Sequence, residues 1–106
     1  MENLAWAAGL FEGEGSWSLR HQAYPSARLA MTDEDVVRRF AATLELLGGR
    51  VHGPYRGTNK PYWVWQLSGF ERVQALYAML WPWLGNRRRS RGAEVVAAGH
   101  PDGRRN

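Results

Sequence analysis

Residues 4–15 read LAWAAGLFEGEG, an almost wholly apolar stretch that ends on two acids separated by glycine. The spacing predicts a short helix with Asn3 as its N-cap and with Gly13 and Gly15 as stops. Ala5, Gly9 and Gly13 recur every four residues, so one side of the helix is nearly bare backbone, open to close approach by a second helix. Leu4, Ala8 and Phe11 mark another side, suited to the chain's own core. A helix apolar on two sides is sandwiched and does not lie on a surface. Glu12 and Glu14 fall in the last turn, where the helix dipole disfavours acids. A cation offsets that cost, and carboxylate and carbonyl oxygens are the ligands that a hard divalent ion such as Mg²⁺ prefers. The plainer alternative is a frayed helix end with two solvated acids.

Residues 7–15, AAGLFEGEG, resemble the nonapeptide of the LAGLIDADG homing endonucleases position by position, with both glycines in place and both acids as Glu. In that family two such helices pack at a two-fold or pseudo-two-fold axis, and their ends present metal-binding acids to DNA. The resemblance implies Glu14 as the principal metal ligand, Glu12 as its catalytic support, and the Gly13 carbonyl as a further donor. Residues two apart on a helix point roughly 200° apart, so the two acids are not equivalent ligands. The family also places a basic residue near the end of the fourth strand and a polar one just after the second. This chain offers Arg72 and Thr32 there, while its sole lysine, Lys60, falls in the loop before the fourth strand.

Beyond the motif, Ser16 to Gln22 alternates, with Trp17, Leu19 and His21 inward and Ser16, Ser18, Arg20 and Gln22 outward. Residues 23–26 form a connection. Ala27 to Thr32 then alternates again, with Leu29 and Met31 opposite Arg28, Ala30 and Thr32. The run Thr32-Asp33-Glu34-Asp35 is a capping signature for a helix carrying Val37, Phe40, Leu44 and Leu47 and ending at Gly48 and Gly49. A second strand pair comes next. In the first of these strands Val51 and Tyr55 point inward, against Arg50, His52 and Arg56. In the second, Trp63, Trp65 and Leu67 point inward, against Tyr62, Val64 and Gln66. A helix from about Phe70 carries Val73, Leu76, Tyr77 and Leu80 until Pro82 interrupts it, and a basic segment with Arg87, Arg88, Arg89 and Arg91 succeeds it.

The order is αββαββα, an α+β architecture without a sequence repeat. It resembles the LAGLIDADG fold, which implies an antiparallel, saddle-shaped sheet with helices on one face. Residues 1–98 read as one domain, and 99–106 as a disordered tail. The outward strand positions Ser18, Arg20, Gln22, Arg28, Thr32, Arg50, His52, Arg56, Tyr62 and Gln66 hold four arginines and no acid. Arginine and glutamine are the side chains that read guanine and adenine edges. A sheet wetted on one side is polar in any case, but that alone predicts mixed charge. Arg87 and Arg88 are candidates for phosphate contact from the flank, against the alternative of a solvated basic run.

The net charge of +4 agrees with a nucleic-acid partner. No cysteine is present, which excludes disulfides and thiolate metal sites and fits a cytoplasmic protein; the resemblance implies a prokaryotic or phage-encoded one. His21, His52 and His100 are scattered, which argues against a histidine-ligated metal. No stretch has the character of a signal peptide or a membrane span. The resemblance therefore implies a sequence-specific double-strand DNA endonuclease of homing type. It would act as a homodimer with Mg²⁺ (Mn²⁺ in its place, Ca²⁺ for docking without cleavage), with no membrane and no small-molecule cofactor. The alternative is a DNA-binding regulator or maturase-like protein on the same scaffold.

Overall fold

In the computed structural model, which describes residues 2–99, the motif forms helix α1, Glu2–Glu14, and its last glycine opens strand β1, Gly15–Arg20. The helix begins ahead of the cap expected at Asn3, which lies inside it. Ala7, Ala8 and Phe11 are fully buried, while Gly9 and Gly13 are exposed. The motif's glycines divide by role. A Cβ at Gly9 or Gly13 would meet nothing within 4 Å, whereas one at Gly15 would strike the Phe11 ring.

β1 turns tightly into β2, Tyr24–Met31, with Gly15 opposite Leu29 and Arg20 opposite Tyr24. His21 (φ 53°) and Gln22 (φ 61°) both take left-handed backbone, and Ala23 N–H donates to the Arg20 carbonyl at 3.1 Å. Two consecutive positive φ values are the mark of a type I′ turn, whose twist matches that of the strands it joins. The strand limits expected from alternation are corrected accordingly. His21 and Gln22 leave the sheet faces for the turn, and residues 24–26 are strand and not connection.

Asp33 caps α2, Glu34–Thr43, its side chain accepting from Val36 N–H at 3.3 Å. A single 3₁₀ turn, Glu45–Leu47, and Gly48 at φ 82° then lead to β3, Arg50–Tyr55. β4, Tyr62–Ser68, completes a sheet of order β1-β2-β4-β3, antiparallel throughout. Between the pairs His52–Val64 and Tyr55–Tyr62, β3 carries one residue more than β4, a bulge that reverses the parity of the residues beyond it. Tyr55 consequently faces outward beside Tyr62, their rings 5.6 Å apart, and Arg56 lies past the strand.

The inward face carries Trp17, Ala27, Leu29, Trp65 and Leu67. Against it pack Phe11, the α2 residues Val37 and Phe40, and Val73, Leu76 and Leu80 of α3, Phe70–Leu80. After α3 a 3₁₀ turn, Trp81–Trp83, precedes α4, Asn86–Ala98, a helix that lies beyond the expected αββαββα order. Its Gly92 permits close approach, since a Cβ there would strike the Tyr77 ring. Trp17 Nε1 donates to the Arg88 carbonyl at 3.1 Å and the Tyr77 hydroxyl to the Arg89 carbonyl at 2.9 Å. Of the expected tail, 99–106, Gly99 closes α4; residues 100–106, His100 among them, lie outside the described residues. No helix among the described residues is long and apolar enough to cross a membrane.

Candidate nucleic-acid interface and the end of α1

The strand register builds the outer face of the sheet in rows. Ser16, Arg28, Gln66 and Arg50 cross all four strands in one row, with Ser18, Ser26 and Ser68 in the next. Arg20 with Tyr24, the triple Ala30, Val64 and His52, and the pair Tyr62 and Tyr55 fill the remainder. Of the residues expected on this face, Ser18, Arg20, Arg28, Arg50, His52, Tyr62 and Gln66 are there. Gln22 and Arg56 sit in the flanking turns, and Thr32 comes just after the end of β2. Sequence reasoning misses Tyr24, Ser26, Ser68 and Tyr55: the first two fall in the expected connection, Ser68 lies past the expected strand end, and the bulge inverts Tyr55. Ser26 is only 2% exposed and accepts from Gln66 Nε2 at 3.4 Å. With one amide hydrogen held, Gln66 keeps a second hydrogen and its carbonyl oxygen, the donor and acceptor that match an adenine edge.

Arg72 lies apart from Glu14 and Thr32. Its Nη1 donates to the Gly48 carbonyl at 3.3 Å. It shares a polar hollow with Arg50, His52, Gln66 and Ser68, at the end of β4 and beside β3. β1 lies three strands away from β3, roughly 14 Å at about 4.8 Å per strand, and its Glu14 end is the opposite end of the sheet. Thr32 and Lys60 instead line common hollows at the start of β4, with Trp63 on one side and Tyr62 on the other. The sole lysine thus lies at the sheet end where α1 enters β1.

At that junction the two acids separate as their spacing requires. Glu14 is exposed, and among the described residues its carboxylate has no hydrogen-bond or ion-pair partner. Glu12 is half-buried and turned the other way, its Oε1 accepting from Gly85 N–H at 2.9 Å. Gly85 is the N-cap residue of α4 and has no side chain with which to cap it, so a carboxylate from α1 does so. The Glu12 carbonyl accepts from Arg88 Nε, also at 2.9 Å. Beside the Ala5–Gly9–Gly13 face stand the half-buried Trp6 and Leu10, with the Arg39 guanidinium 3.9 Å over the Trp6 ring.

The basic run is mostly spent on the protein itself. Arg88 faces α1, with its Nε on the Glu12 carbonyl. Arg89 donates to the Trp81 and Pro82 carbonyls at 3.0 and 3.3 Å and stacks 3.9 Å over the Trp81 ring. Arg91 pairs with Glu94 at 3.0 Å. Arg87 alone of the four is exposed without a partner among the described residues. No three His, Asp or Glu side chains cluster among the described residues. One chain therefore offers a divalent ion the Glu14 carboxylate and nearby helix-end carbonyls, a donor set of the right chemistry but short of a full shell.

No protein-family model matches the chain, and no curated protein matches it. Solved structures do match in fold. Two are of the homing endonuclease I-CvuI, one in complex with the I-CreI target in the presence of Mg, its DNA not cleaved, and one with its own target in the presence of Ca. Both give a TM-score of 0.67, at 18% and 19% identity, over 91% of this chain and 64% of theirs. A third is the LAGLIDADG meganuclease I-CpaMI bound to uncleaved DNA, with a TM-score of 0.60 and 12% identity over 84% of this chain and 34% of that one. The chain thus spans less than two thirds of the length of each of these proteins. Its helix–strand order, its antiparallel sheet and the helix that ends on Glu14 together give it the fold of the LAGLIDADG homing endonucleases.

Proposed function

We propose that this protein is a homodimeric, divalent-metal-dependent endonuclease of homing type that cuts double-stranded DNA at a long, near-palindromic site. The observation that carries this reading is the placement of Glu14, exposed and unpartnered among the described residues at the end of a helix with an open Ala5–Gly9–Gly13 face. Two copies packed through that face bring two Glu14 carboxylates to one axis, and a two-fold dimer reads two-fold DNA. Each subunit offers Glu14 and the Gly13 carbonyl, oxygen donors suited to Mg²⁺, with Mn²⁺ as a substitute and Ca²⁺ as an ion for docking without cleavage. DNA phosphates, water and the second copy would have to supply the remaining ligands. Glu14 and the Gly13 carbonyl would hold such an ion, which would supply a lowered pKa for an attacking water and charge stabilisation for a leaving oxygen.

Around that centre the chain's own side chains hold the duplex. Arg28, Gln66 and Arg50 in one row, with Ser18, Arg20, His52 and Tyr62, present donors and acceptors to base edges and phosphates. Gln22 and Arg56 reach from the turns, Arg87 contacts phosphate from the flank, and Thr32 and Lys60 supply polar and basic groups at the Glu14 end. Glu14→Gln removes the charged ligand and keeps the side-chain volume. It is expected to abolish cutting and to leave DNA affinity intact; a variant that still cuts would overturn the assignment.

A regulator or maturase-like role is the second reading, favoured by one observation. Arg72, the basic residue that the motif pattern pointed to, lies far from Glu14. Site-specific binding with no cuts in Mg²⁺ or Mn²⁺ would select that reading.

A further inference from the structure

Glu14 lies between two anchor points on one helix end. Two residues before it, the Glu12 carboxylate caps α4 at Gly85 N–H and the Glu12 carbonyl takes Arg88 Nε. Three residues after it, Trp17 Nε1 donates to the Arg88 carbonyl. Arg88 thus grips both sides of the α1–β1 junction, with its guanidinium before Glu14 and its main chain after. The far side of α4 is fastened as well, through the Tyr77 hydroxyl on the Arg89 carbonyl and Arg89 on Trp81 and Pro82. Gly15 closes the junction from within, since the Phe11 ring occupies the space of a Cβ there. The free stretch between the anchors is Gly13 and Glu14, with one residue that has no side chain to brace it.

We propose that Glu12 and Arg88 are positioning residues, not metal ligand and phosphate contact: they lock the α1–β1 junction onto the N-terminus of α4 and so fix where Glu14 stands. The proposal rests on the endonuclease reading for what Glu14 does, but the lock itself belongs to the free protein. Outer partners of a metal ligand act in this way, and their loss commonly costs about 10–100-fold in metal affinity or rate. Glutamine keeps the side-chain oxygen that Gly85 N–H needs and drops the charge a metal would need. Glu12→Gln therefore separates a cap from a ligand.

The experiment compares the native chain with Glu12→Ala, Glu12→Gln, Arg88→Met and Arg88→Lys. Amide hydrogen exchange of residues 12–17 and 85–89 is read in the free protein. The single-turnover cleavage rate, its half-saturating Mg²⁺ and the DNA Kd in Ca²⁺ are read on a selected site. Glu12→Ala and Arg88→Met are expected to speed exchange at both segments, to lower the cleavage rate by about 10–100-fold and to raise half-saturating Mg²⁺, with the DNA Kd within about threefold. Glu12→Gln is expected to rescue all of these and Arg88→Lys part of them. Equal damage from Glu12→Gln and Glu12→Ala would overturn the proposal and make Glu12 a ligand. A weakened Kd with unchanged rate in Arg88→Met would make Arg88 a phosphate contact. If the native chain cuts no DNA, the endonuclease reading fails by itself, and unchanged exchange in Glu12→Ala and Arg88→Met would still reject the lock.

Discussion

Two glycines of the same motif differ in what surrounds them, and that difference sets opposite expectations for substituting them. Gly15 faces the Phe11 ring, so Gly15→Ala forces a buried aromatic to move and is expected to destabilise the subunit by about 1–3 kcal/mol, read as a lowered Tm. Gly9 faces open space, so Gly9→Leu is expected to leave the subunit's fold intact by circular dichroism. The same variant should halve the mass seen in sedimentation, because the added side chain fills the room a second copy needs. A Gly9→Leu protein that stays dimeric would place the interface elsewhere. The open helix face was legible from the recurrence of Ala5, Gly9 and Gly13, and the inequivalence of Glu12 and Glu14 from the turn of a helix. The partner of Glu12 was not. Gly85 lies 73 positions away, and no local pattern announces a contact at that separation.

At the scale of elements, the alternation of apolar and polar residues marked out the strands and their faces, and it failed where backbone geometry overrode it. The β3 bulge depends on Gly53 at φ 136°, a conformation that a period-two count does not register. The β1–β2 turn runs through two side-chain-bearing residues in left-handed backbone, where Asn-Gly is the usual choice. Replacing His21 and Gln22 by Asn and Gly is therefore expected to stabilise the protein by roughly 1 kcal/mol, and a Tm that falls or stays put would argue against the turn. α4 was missed because it opens on arginines with few apolar residues. It is held by Trp17, Tyr77 and Glu12, donors and an acceptor from other elements. The row of Arg28, Gln66 and Arg50 carries its own prediction. Gln66→Ala should relax base preference at one symmetric pair of target positions, costing about 1–3 kcal/mol, while Arg87→Ala should weaken all sequences alike and reduce the salt slope by about 1. Selection of target variants at graded salt measures both.

At the scale of the whole molecule, the proposed reading makes one chain an incomplete device. Among the described residues no cluster of three acidic or histidine side chains exists to hold an ion, and the one free acid of the motif stands at the edge of an open helix face. The sheet's outer face, with its arginines and without acids, extends from that edge. On the proposed reading, doubling the subunit about α1 would join two such faces and two Glu14 carboxylates, as a cut in both strands of a near-palindrome requires. The doubled surface is expected to cleave what it binds. The most direct measurement selects binders from a random DNA pool in Ca²⁺, then adds Mg²⁺ and maps the strand breaks, with Glu14→Ala alongside. Double-strand cuts are expected at the centre of a near-palindromic site, absent in the variant. Tight selection of such a site with no cuts in Mg²⁺ or Mn²⁺, or cuts that persist in Glu14→Ala, would contradict it.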